Sequence, residues 1–445
     1  MPYKRKTINF IDLFAGLGGT RIGFEQACQE LGIASKCVFT SEIKAHAVET
    51  YQNNFPNEKI TGDITKVEAK EIPNFDILLG GFPCQAFSFS GKRRGFADTR
   101  GTLFFDIARI LKEKQPIGFV LENVEGLVVH DRERPTDKIG RTLTTIITTL
   151  EDLGYKVSWK LLDSSDFGVA QRRKRVYIVG SKNNLINLDN LTTTKSKVAD
   201  ILESRKSLLD TDFTKKLLSH FSPKELHGKS IKDKRGGPEN IHSWDIGLKG
   251  ETTPEQRKLL EELLKERRKK KWAKDKGIKW MDGMPLTLEE IHTFYKPSSQ
   301  QSSKAKLKIL LDDLVKKGYL AYEEPKILHS HTDENGYSTH SRVRDTNGIK
   351  GYNIVSGKLS FEFSQILDPK GVSPTLVATD MSKIGIIDGS GIRRLTIREG
   401  LRLFGFPEKY RMKLPEKQAY DLLGNSIVVP VIKLVSKQLI QNLVG

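Results

Sequence analysis

Cysteine is scarce. The 445 residues hold three, Cys28, Cys37 and Cys84, and no two of them form a CxxC pair. Three scattered thiols make neither a disulfide framework nor a zinc site, and the simple inference is a reducing cytoplasm. No apolar run approaches the roughly 20 residues that a membrane span needs. A signal peptide is not expected either. Lys4, Arg5 and Lys6 precede an apolar stretch, but Asp12 interrupts it and glycine-rich sequence replaces a small-residue cleavage site. Internal repeats are also lacking. Acid is in short supply, with 55 Asp and Glu against 73 Lys and Arg, a net charge of +18. That excess favours a polyanionic partner through phosphate neutralisation, although a merely basic surface fits the charge equally well. What is present is a 37% hydrophobic content, which excludes a disordered chain.

The first 180 residues alternate short apolar runs with helical patterns. Residues 8–14, 37–40, 76–79, 119–121, 157–162 and 176–179 read as strands. Residues 20–31, 45–53, 103–114 and 142–153 read as helices. Strands separated by helices argue for a doubly wound α/β sheet covered on both faces. In such sheets ligands bind beyond the carboxyl ends of the strands. Composition changes after Gly180. Residues 183–197 are rich in Thr and Asn, 232–238 are basic and turn-prone, and 296–306 are rich in Ser and Gln. Residues 256–276 read as one highly charged helix carrying the run Arg267, Arg268, Lys269, Lys270, Lys271. Helices over 286–295 and 305–317 then precede Gly318-Tyr319-Leu320, an order similar to a winged helix near 280–325. From about Ile392 the α/β style returns, with a closing helix over 427–443. The α/β domain at 1–184 is therefore interrupted by a segment at 185–390. It is rejoined through a hinge at 391–422 and resumed by 423–445.

Four places carry residues suited to chemistry. The first is Asp12-Leu-Phe-Ala-Gly16-Leu-Gly18-Gly19, between the first strand and helix. Glycines allow a tight turn and close ligand approach there, and helix N–H groups attract a carboxylate or phosphate. Simple helix–strand packing would also explain it, and the GxGG spacing fits the nicotinamide fingerprint poorly. Glu42 follows the second strand, where a carboxylate can grip ribose hydroxyls. Asp63, in Gly62-Asp63-Ile64, is placed for an adenine amino group. Each acid alone reads as a solvated turn residue; as an ordered set they point to an adenosine-containing ligand.

The second place is the loop Gly80-Gly81-Phe82-Pro83-Cys84-Gln85-Ala86-Phe87-Ser88 after the third main strand. Near neutral pH a free thiol is only slightly ionised and needs positive surroundings, which Lys92, Arg93 and Arg94 could supply. Cys28 and Cys37 fall in a helix and a strand and read as small buried residues. The third is Glu122 in Leu121-Glu122-Asn123-Val124, a proton donor if burial raises its pKa. The fourth is Gln171-Arg172-Arg173-Lys174-Arg175. Strand alternation puts Gln171, Arg173 and Arg175 on one face, while Arg172 and Lys174 fit a solvated edge.

Taken in order, the blocks DLFAGLGG, GDI, GFPCQAFS, GTLFFDIARI, ENV, QRRKR, RRLTIREGLRLFGFP and GNSIVVPV resemble the cytosine-5 DNA methyltransferases. The match covers roughly 8–180 and 392–435, and GFPCQAFS is quite specific by itself. The resemblance implies an S-adenosylmethionine-dependent methyltransferase domain interrupted by a smaller target-recognition domain at 185–390. It implies that Cys84 attacks C6 of a cytosine flipped out of double-stranded DNA, while Glu122 bonds and protonates N3. Arg175 would contact O2, and Arg173 would support the thiolate and phosphate. C5 then attacks the methyl group, a base removes the C5 proton, and Cys84 leaves by elimination.

The same resemblance implies a cofactor pocket. Phe14 would stack on adenine, and Gly16, Leu17, Gly18 and Gly19 would line the methionine part. Glu42 would hold the ribose, Ile43 would cover the other adenine face, and Asp63 would bind the amino group. Ile64, Pro83, Leu103, Asn425 and Ser426 would complete it. Gln85, Ser88, Ser90, Lys92 and Arg100 suit DNA phosphates and orphan base edges. Thr375, in Ser373-Pro374-Thr375-Leu376, would stand beside the flipped nucleotide. Arg394 to Glu399 and Gly405-Phe406-Pro407 read as bracing for the domain junction. The cationic run at Arg267 to Lys271 fits phosphate and solvent equally.

No metal is called for, and a monomer could do all this chemistry in the cytoplasm, on the nucleoid. The implied setting is a bacterial restriction–modification system, with a restriction endonuclease acting on the same site. Two other readings stand beside it. One is an RNA methylase, since a relative of the family modifies transfer RNA; the long insertion and the Ala86-Phe87-Ser88 context favour DNA. The other is a DNA-binding protein without catalysis, against which Cys84, Glu122 and Arg175 speak.

Overall fold

The computed structural model describes residues 7–82, 103–234, 236–278, 284–297, 303–332, 338–355 and 361–444. The chain divides into two compact units. One comprises 1–204, 368–382 and 395–445; the other comprises 205–367 and 383–394.

The first unit begins β1 (Thr7–Leu13), α1 (Gly19–Glu30), β2 (Ala34–Ser41), α2 (Ala45–Asn54), β3 (Ile60–Thr61) and β4 (Ile77–Gly81). It continues α3 (Leu103–Lys114), β5 (Gly118–Val124), α4 (Gly126–Val129), α5 (Arg141–Asp152), β6 (Lys156–Asp163) and β7 (Lys174–Ser181). The strands form one sheet in the order β3-β2-β1-β4-β5-β7-β6. β7 runs antiparallel to both of its neighbours, and β1 to β5 run parallel to one another. The architecture is thus α/β, as expected. β3 has only two residues, too few for an apolar pattern to show. β1 and β4 are buried along almost their whole length because both sheet faces are covered. Phe104, Ile107 and Leu111 of α3 and Leu143, Ile146 and Leu150 of α5 pack on one face with Leu78, Phe119 and Leu121. β1 lies between β2 and β4, so strand order reverses there and a crevice opens beyond the carboxyl ends.

The second unit contains α6 (Asp212–His220), α7 (Pro223–Leu226), β8 (Ser230–Ile231), β9 (Asn240–Ile241), α8 (Pro254–Glu266) and α9 (Lys270–Asp275). It continues α10 (Leu288–Phe294), α11 (Ser303–Lys316), β10 (Leu320–Glu323), β11 (Lys326–Thr332), β12 (Ser338–Arg344) and β13 (Gly351–Ile354). β14 (Gln365–Ile366), β15 (Ile384–Asp388) and β16 (Gly391–Arg394) complete it. Two cores share this unit. Phe213, Leu217, Ile231, Phe363, Ile366 and Ile392 surround the five-stranded sheet β16-β15-β14-β8-β9. Leu259, Leu263, Ile291, Leu307, Leu311, Leu314, Tyr352 and Ile354 form the other, helical core.

The single charged helix expected over 256–276 is in fact two. α8 ends at Glu266, Lys269 is extended, and α9 starts at Lys270. Arg267 is buried, whereas Arg268 to Lys271 are exposed. Like charges one turn apart repel on a helix, and the break relieves that repulsion.

The chain returns to the first unit through α12 (Ile397–Leu403), α13 (Glu416–Gly424) and α14 (Val429–Val444). α14 lies directly on α1. A Cβ on Gly23 would sit 2.7 Å from Ile432 and 2.8 Å from the Val429 carbonyl oxygen, so only glycine allows this approach. The stretch Glu416–Leu443 is long and apolar enough to cross a membrane by length and composition, which corrects the expectation of no such run. Its apolarity is core packing: Val431, Ile432, Val435, Leu439 and Ile440 are buried.

Candidate active site

A cavity of about 540 Å³ opens at the carboxyl ends of β1, β2, β4 and β5, within the usual size range of small-molecule sites. Its floor is the turn after β1. Phe14, Gly16 and Gly18 all have positive φ, at 57°, 52° and 72°. For Phe14 that conformation is strained, and such strain persists only where the surroundings over-determine it. Here they do. Ala15 N–H donates to the Ser41 carbonyl at 3.1 Å, and Gly18 N–H to the Ala15 carbonyl at 2.7 Å. Gly16 N–H donates to Glu42 Oε2 at 2.8 Å. Tyr410 Oη, almost four hundred residues away in sequence, donates to the Leu17 carbonyl at 2.8 Å. Nothing local in the sequence marks Tyr410 for this task.

Phe14, Gly16, Leu17, Gly19, Glu42, Ile43, Asp63, Ile64, Leu103, Asn425 and Ser426 all line this one cavity. Gly18 departs from the expectation. It makes the turn, but a Cβ there would meet the rings of Phe55 and Tyr51 at 2.8 and 3.0 Å. Glu42 does more than face a ligand, because its Oε1 also accepts Ile43 and Lys44 N–H, both at 2.9 Å. Asp63 caps a short 3₁₀ turn by accepting from Thr65 N–H and Oγ1, which holds its carboxyl below the usual range.

Beneath the turn lies a buried polar layer. Asp12 is fully buried and accepts from Thr20 Oγ1 at 2.6 Å and Tyr51 Oη at 3.4 Å. Arg21 in the same layer pairs with Glu25 at 2.8 Å and Glu58 at 2.9 Å. Burial pushes the Asp12 carboxyl up to about 7, against the lowering effects of Thr20 and Arg21. A carboxyl raised by folding holds its proton more tightly in the native state. It therefore removes stability as pH climbs from about 4 to about 7, and the full deficit stands above that. Asp12→Asn should flatten this dependence, gaining on the order of a few kcal/mol over the wild type at pH 8 relative to pH 5. Urea unfolding at the two pH values measures it; an unchanged difference would refute the assignment.

On the other side of the cavity Glu122 ends the buried part of β5. It is 8% exposed, and Arg175 Nε stands 3.1 Å from its Oε1. Burial pushes the Glu122 carboxyl up, while Arg175 and then Arg173 pull it down. Gln171, Arg173 and Arg175 face inward, and Arg172 and Lys174 are exposed. Gln171 Nε2 donates to the Leu403 carbonyl at 3.0 Å, and its Oε1 accepts Leu376 N–H at 3.2 Å. Arg173 spends two donors on the carbonyls of Leu376 and Gly424, at 2.9 and 3.2 Å, and its guanidinium lies over the Phe404 ring. Its Nε is buried without a partner among the described residues. Arg173 thus lines the cavity and clamps the returning chain at once.

Thr375 is exposed, and its Oγ1 donates to the Arg172 carbonyl at 2.7 Å. Ser373 N–H bonds Ala170 and Arg172 N–H bonds Ser373, each at 2.8 Å, so this segment is knitted along 170–173. Val377 and Ala378, not Thr375, line the cavity. Pro83, Cys84, Gln85, Ser88, Ser90, Lys92 and Arg100 lie outside the described residues. The chain approaches them through Phe82, whose carbonyl accepts from the buried Asn123 Nδ2 at 2.9 Å. Asn123, next to Glu122 in the same motif, is a second residue whose anchoring task has no local sequence signal.

The family model for C-5 cytosine-specific DNA methylase matches residues 8–441. The chain belongs to this family. The methylase is 58% identical over 436 residues to Type II methyltransferase M.NlaIV of Neisseria lactamica, covering 98% of this chain and 99% of the relative. It is 56% identical over 436 residues to Type II methyltransferase M.NgoBV of Neisseria gonorrhoeae, with the same coverage. To M.HgiCI of Herpetosiphon aurantiacus it is 41% identical over 461 residues, covering 98% of each chain. A crystal structure from E. coli, described as a prophage-encoded DNA modification methyltransferase, aligns over 98% of this chain and 99% of its own. At 21% identity and a TM-score of 0.52, it supports the fold. The methylase is accordingly an enzyme that acts on C5 of cytosine in DNA.

Proposed function

We propose that this methylase uses S-adenosylmethionine to methylate a cytosine flipped out of a specific double-stranded DNA sequence, protecting host DNA in a Type II restriction–modification system. One observation carries the reading. A buried acid held by an arginine, Glu122 and Arg175, shares a single cavity with the strained glycine turn, Glu42 and Asp63. The names of the similar Type II methyltransferases support the biological setting.

The residues present fit the cofactor. The cavity has the volume, Phe14 offers a ring, the turn offers backbone, and Glu42 and Asp63 offer acceptors for ribose hydroxyls and an adenine amino group. When bound, S-adenosylmethionine supplies an electrophilic methyl group. The protein does the rest. Cys84 adds to C6 of the cytosine, and electron density moves through the ring toward N3. Glu122, whose carboxyl burial pushes up against the pull of Arg175 and Arg173, donates a proton to N3 and so makes C5 nucleophilic. Arg175 orients Glu122 and contacts O2 of the base. Arg173 holds the chain at Leu376 and Gly424 so that the wall of the cavity stays in place. Base extraction costs on the order of a few kcal/mol, offset by contacts from the loop Gln85, Ser88, Ser90, Lys92 and Arg100. The second unit reads the DNA sequence, and a monomer acting on the nucleoid suffices.

Expression in a methylation-free bacterial host, followed by bisulfite sequencing, tests the proposal. A discrete motif carrying 5-methylcytosine is the expected result. Folded protein with no methylated DNA, but with transfer to RNA, would overturn it. The cofactor assignment has its own test. Tyr410→Phe removes the bond to the Leu17 carbonyl, a loss of about 1 kcal/mol. It should weaken S-adenosylmethionine binding about fivefold in calorimetry, and an unchanged affinity would show that the turn does not need this brace.

A further inference from the structure

We propose that residues 254–354 form a winged-helix module that reads duplex DNA, with α11 in the major groove and the β11–β12 ribbon along the phosphate backbone. The inference rests on the function just proposed and assigns the reading to particular side chains.

Topology is the first support. After α8 and α9 the chain runs through an extended Leu286, then α10, α11, β10, the β11–β12 ribbon and β13. Leu286 exchanges two backbone bonds with Tyr352 of β13, at 3.0 and 2.7 Å. β13 pairs antiparallel with β10 on its other side. The last strand in sequence is therefore the middle one in space, and the ribbon is spliced between the two strands that pair. Three helices, α8, α10 and α11, bury their apolar sides on this small sheet. That is the plan of a winged helix, with α10 and α11 as the helix pair and the ribbon as the wing.

Exposure is the second support. β11 and β12 pair over seven residues each and, among the described residues, join no other strand. Residues 327–330 and 341–344 are exposed on both faces of the ribbon. An isolated two-stranded ribbon is at best marginally stable in water, so this one adds little to the core it leaves. The free side of α11 carries Ala305, Lys308, Ile309, Asp312 and Lys316, all exposed, and Ile309 is 69% exposed.

Charge decides the occupant. Residues 254–354 hold 21 Lys and Arg against 15 Asp and Glu. In the ribbon, register places Lys326 opposite Arg344 and Leu328 opposite Arg342, so three cations fall on one face at its base. A helix of this diameter fits the major groove, where an exposed isoleucine suits a thymine methyl and lysines suit guanine edges or phosphates. Cations on a neighbouring ribbon suit the backbone, which positions without reading sequence.

The full-length enzyme tests the assignment by fluorescence anisotropy with a labelled duplex carrying the motif found by bisulfite sequencing, and with a scrambled duplex. Arg342→Ala with Arg344→Ala should weaken both duplexes about tenfold and reduce the slope of log affinity against log salt by about 1 to 2. Ile309→Asp, with Lys308→Ala as a milder second variant, should lose about tenfold or more for the motif and little for the scrambled duplex. Cofactor affinity and thermal melting serve as folding controls. Variants that bind both duplexes as the wild type does would overturn the module. A wild type that binds duplex but never methylates it would instead sink the proposed function, and the effect of the two arginine substitutions on the scrambled duplex and its salt slope would still judge the module.

Discussion

Cys84→Ser protein transfers no methyl group to DNA above background, while it still binds duplex and cofactor; this is the expected result of single-turnover assays with labelled donor. A serine hydroxyl does not ionise near neutral pH, so the attack on C6 that activates C5 is lost. The other two thiols cannot substitute. Cys28 and Cys37 are buried, and burial pushes each up to about 12, far from the thiolate that a nucleophile requires. Turnover surviving in the serine variant would mean that cytosine is activated without Cys84. Asn123 anchors the chain just before Cys84. Its buried amide fixes the Phe82 carbonyl two residues before Cys84, from the strand that also carries Glu122.

Glu122→Gln should slow transfer by roughly 10²–10⁴-fold, the span typical of a lost general acid. Glutamine fills the same space and keeps a hydrogen-bond donor, so the loss isolates the proton itself. The pH profile carries a second signature. Burial raises the Glu122 pKa, and Arg175 is the first of the charges that restrain it. A raised carboxyl keeps its proton to higher pH, so activity should decline on the alkaline side as that proton is lost. Arg175→Met removes the restraint and should move that decline to higher pH, even as the rate falls. A single-turnover rate unchanged in the glutamine variant would remove Glu122 from proton donation.

Much of the catalytic unit was legible because its chemistry sits at strand ends, where short apolar runs break into glycine, acid or arginine. Glu42, Asp63, Glu122 and Arg175 were all found that way, and the structure gathers them around one cavity. What escaped depends on distance. Tyr410 meets Leu17 across 393 residues, and Gln171 meets Leu376 across 205. No local pattern encodes such partners. Glycines in a turn look alike in sequence, yet the neighbours of Gly18 are the rings of α2 and the residue after it. The break after Glu266 leaves no local sequence signal, because the charged, helix-favouring run Arg267 to Lys271 holds neither glycine nor proline; the extended Lys269 and the burial of Arg267 show it in the structure.

The packing of α14 on α1 has a consequence for synthesis. A ribosome makes β1 and its turn first and the helix that covers them last. Until residues near Ile432 have emerged, the face of α1 opened by Gly23 has no cover, and the wall at Asn425 to Ile427 does not exist. Contacts this remote in sequence form late and slowly. The second unit, with its own cores, can fold while the first still waits. A product that stops before residue 425 would lack that wall and leave the Gly23 face of α1 open, so completion of the chain through α14 is a condition for the cavity to form.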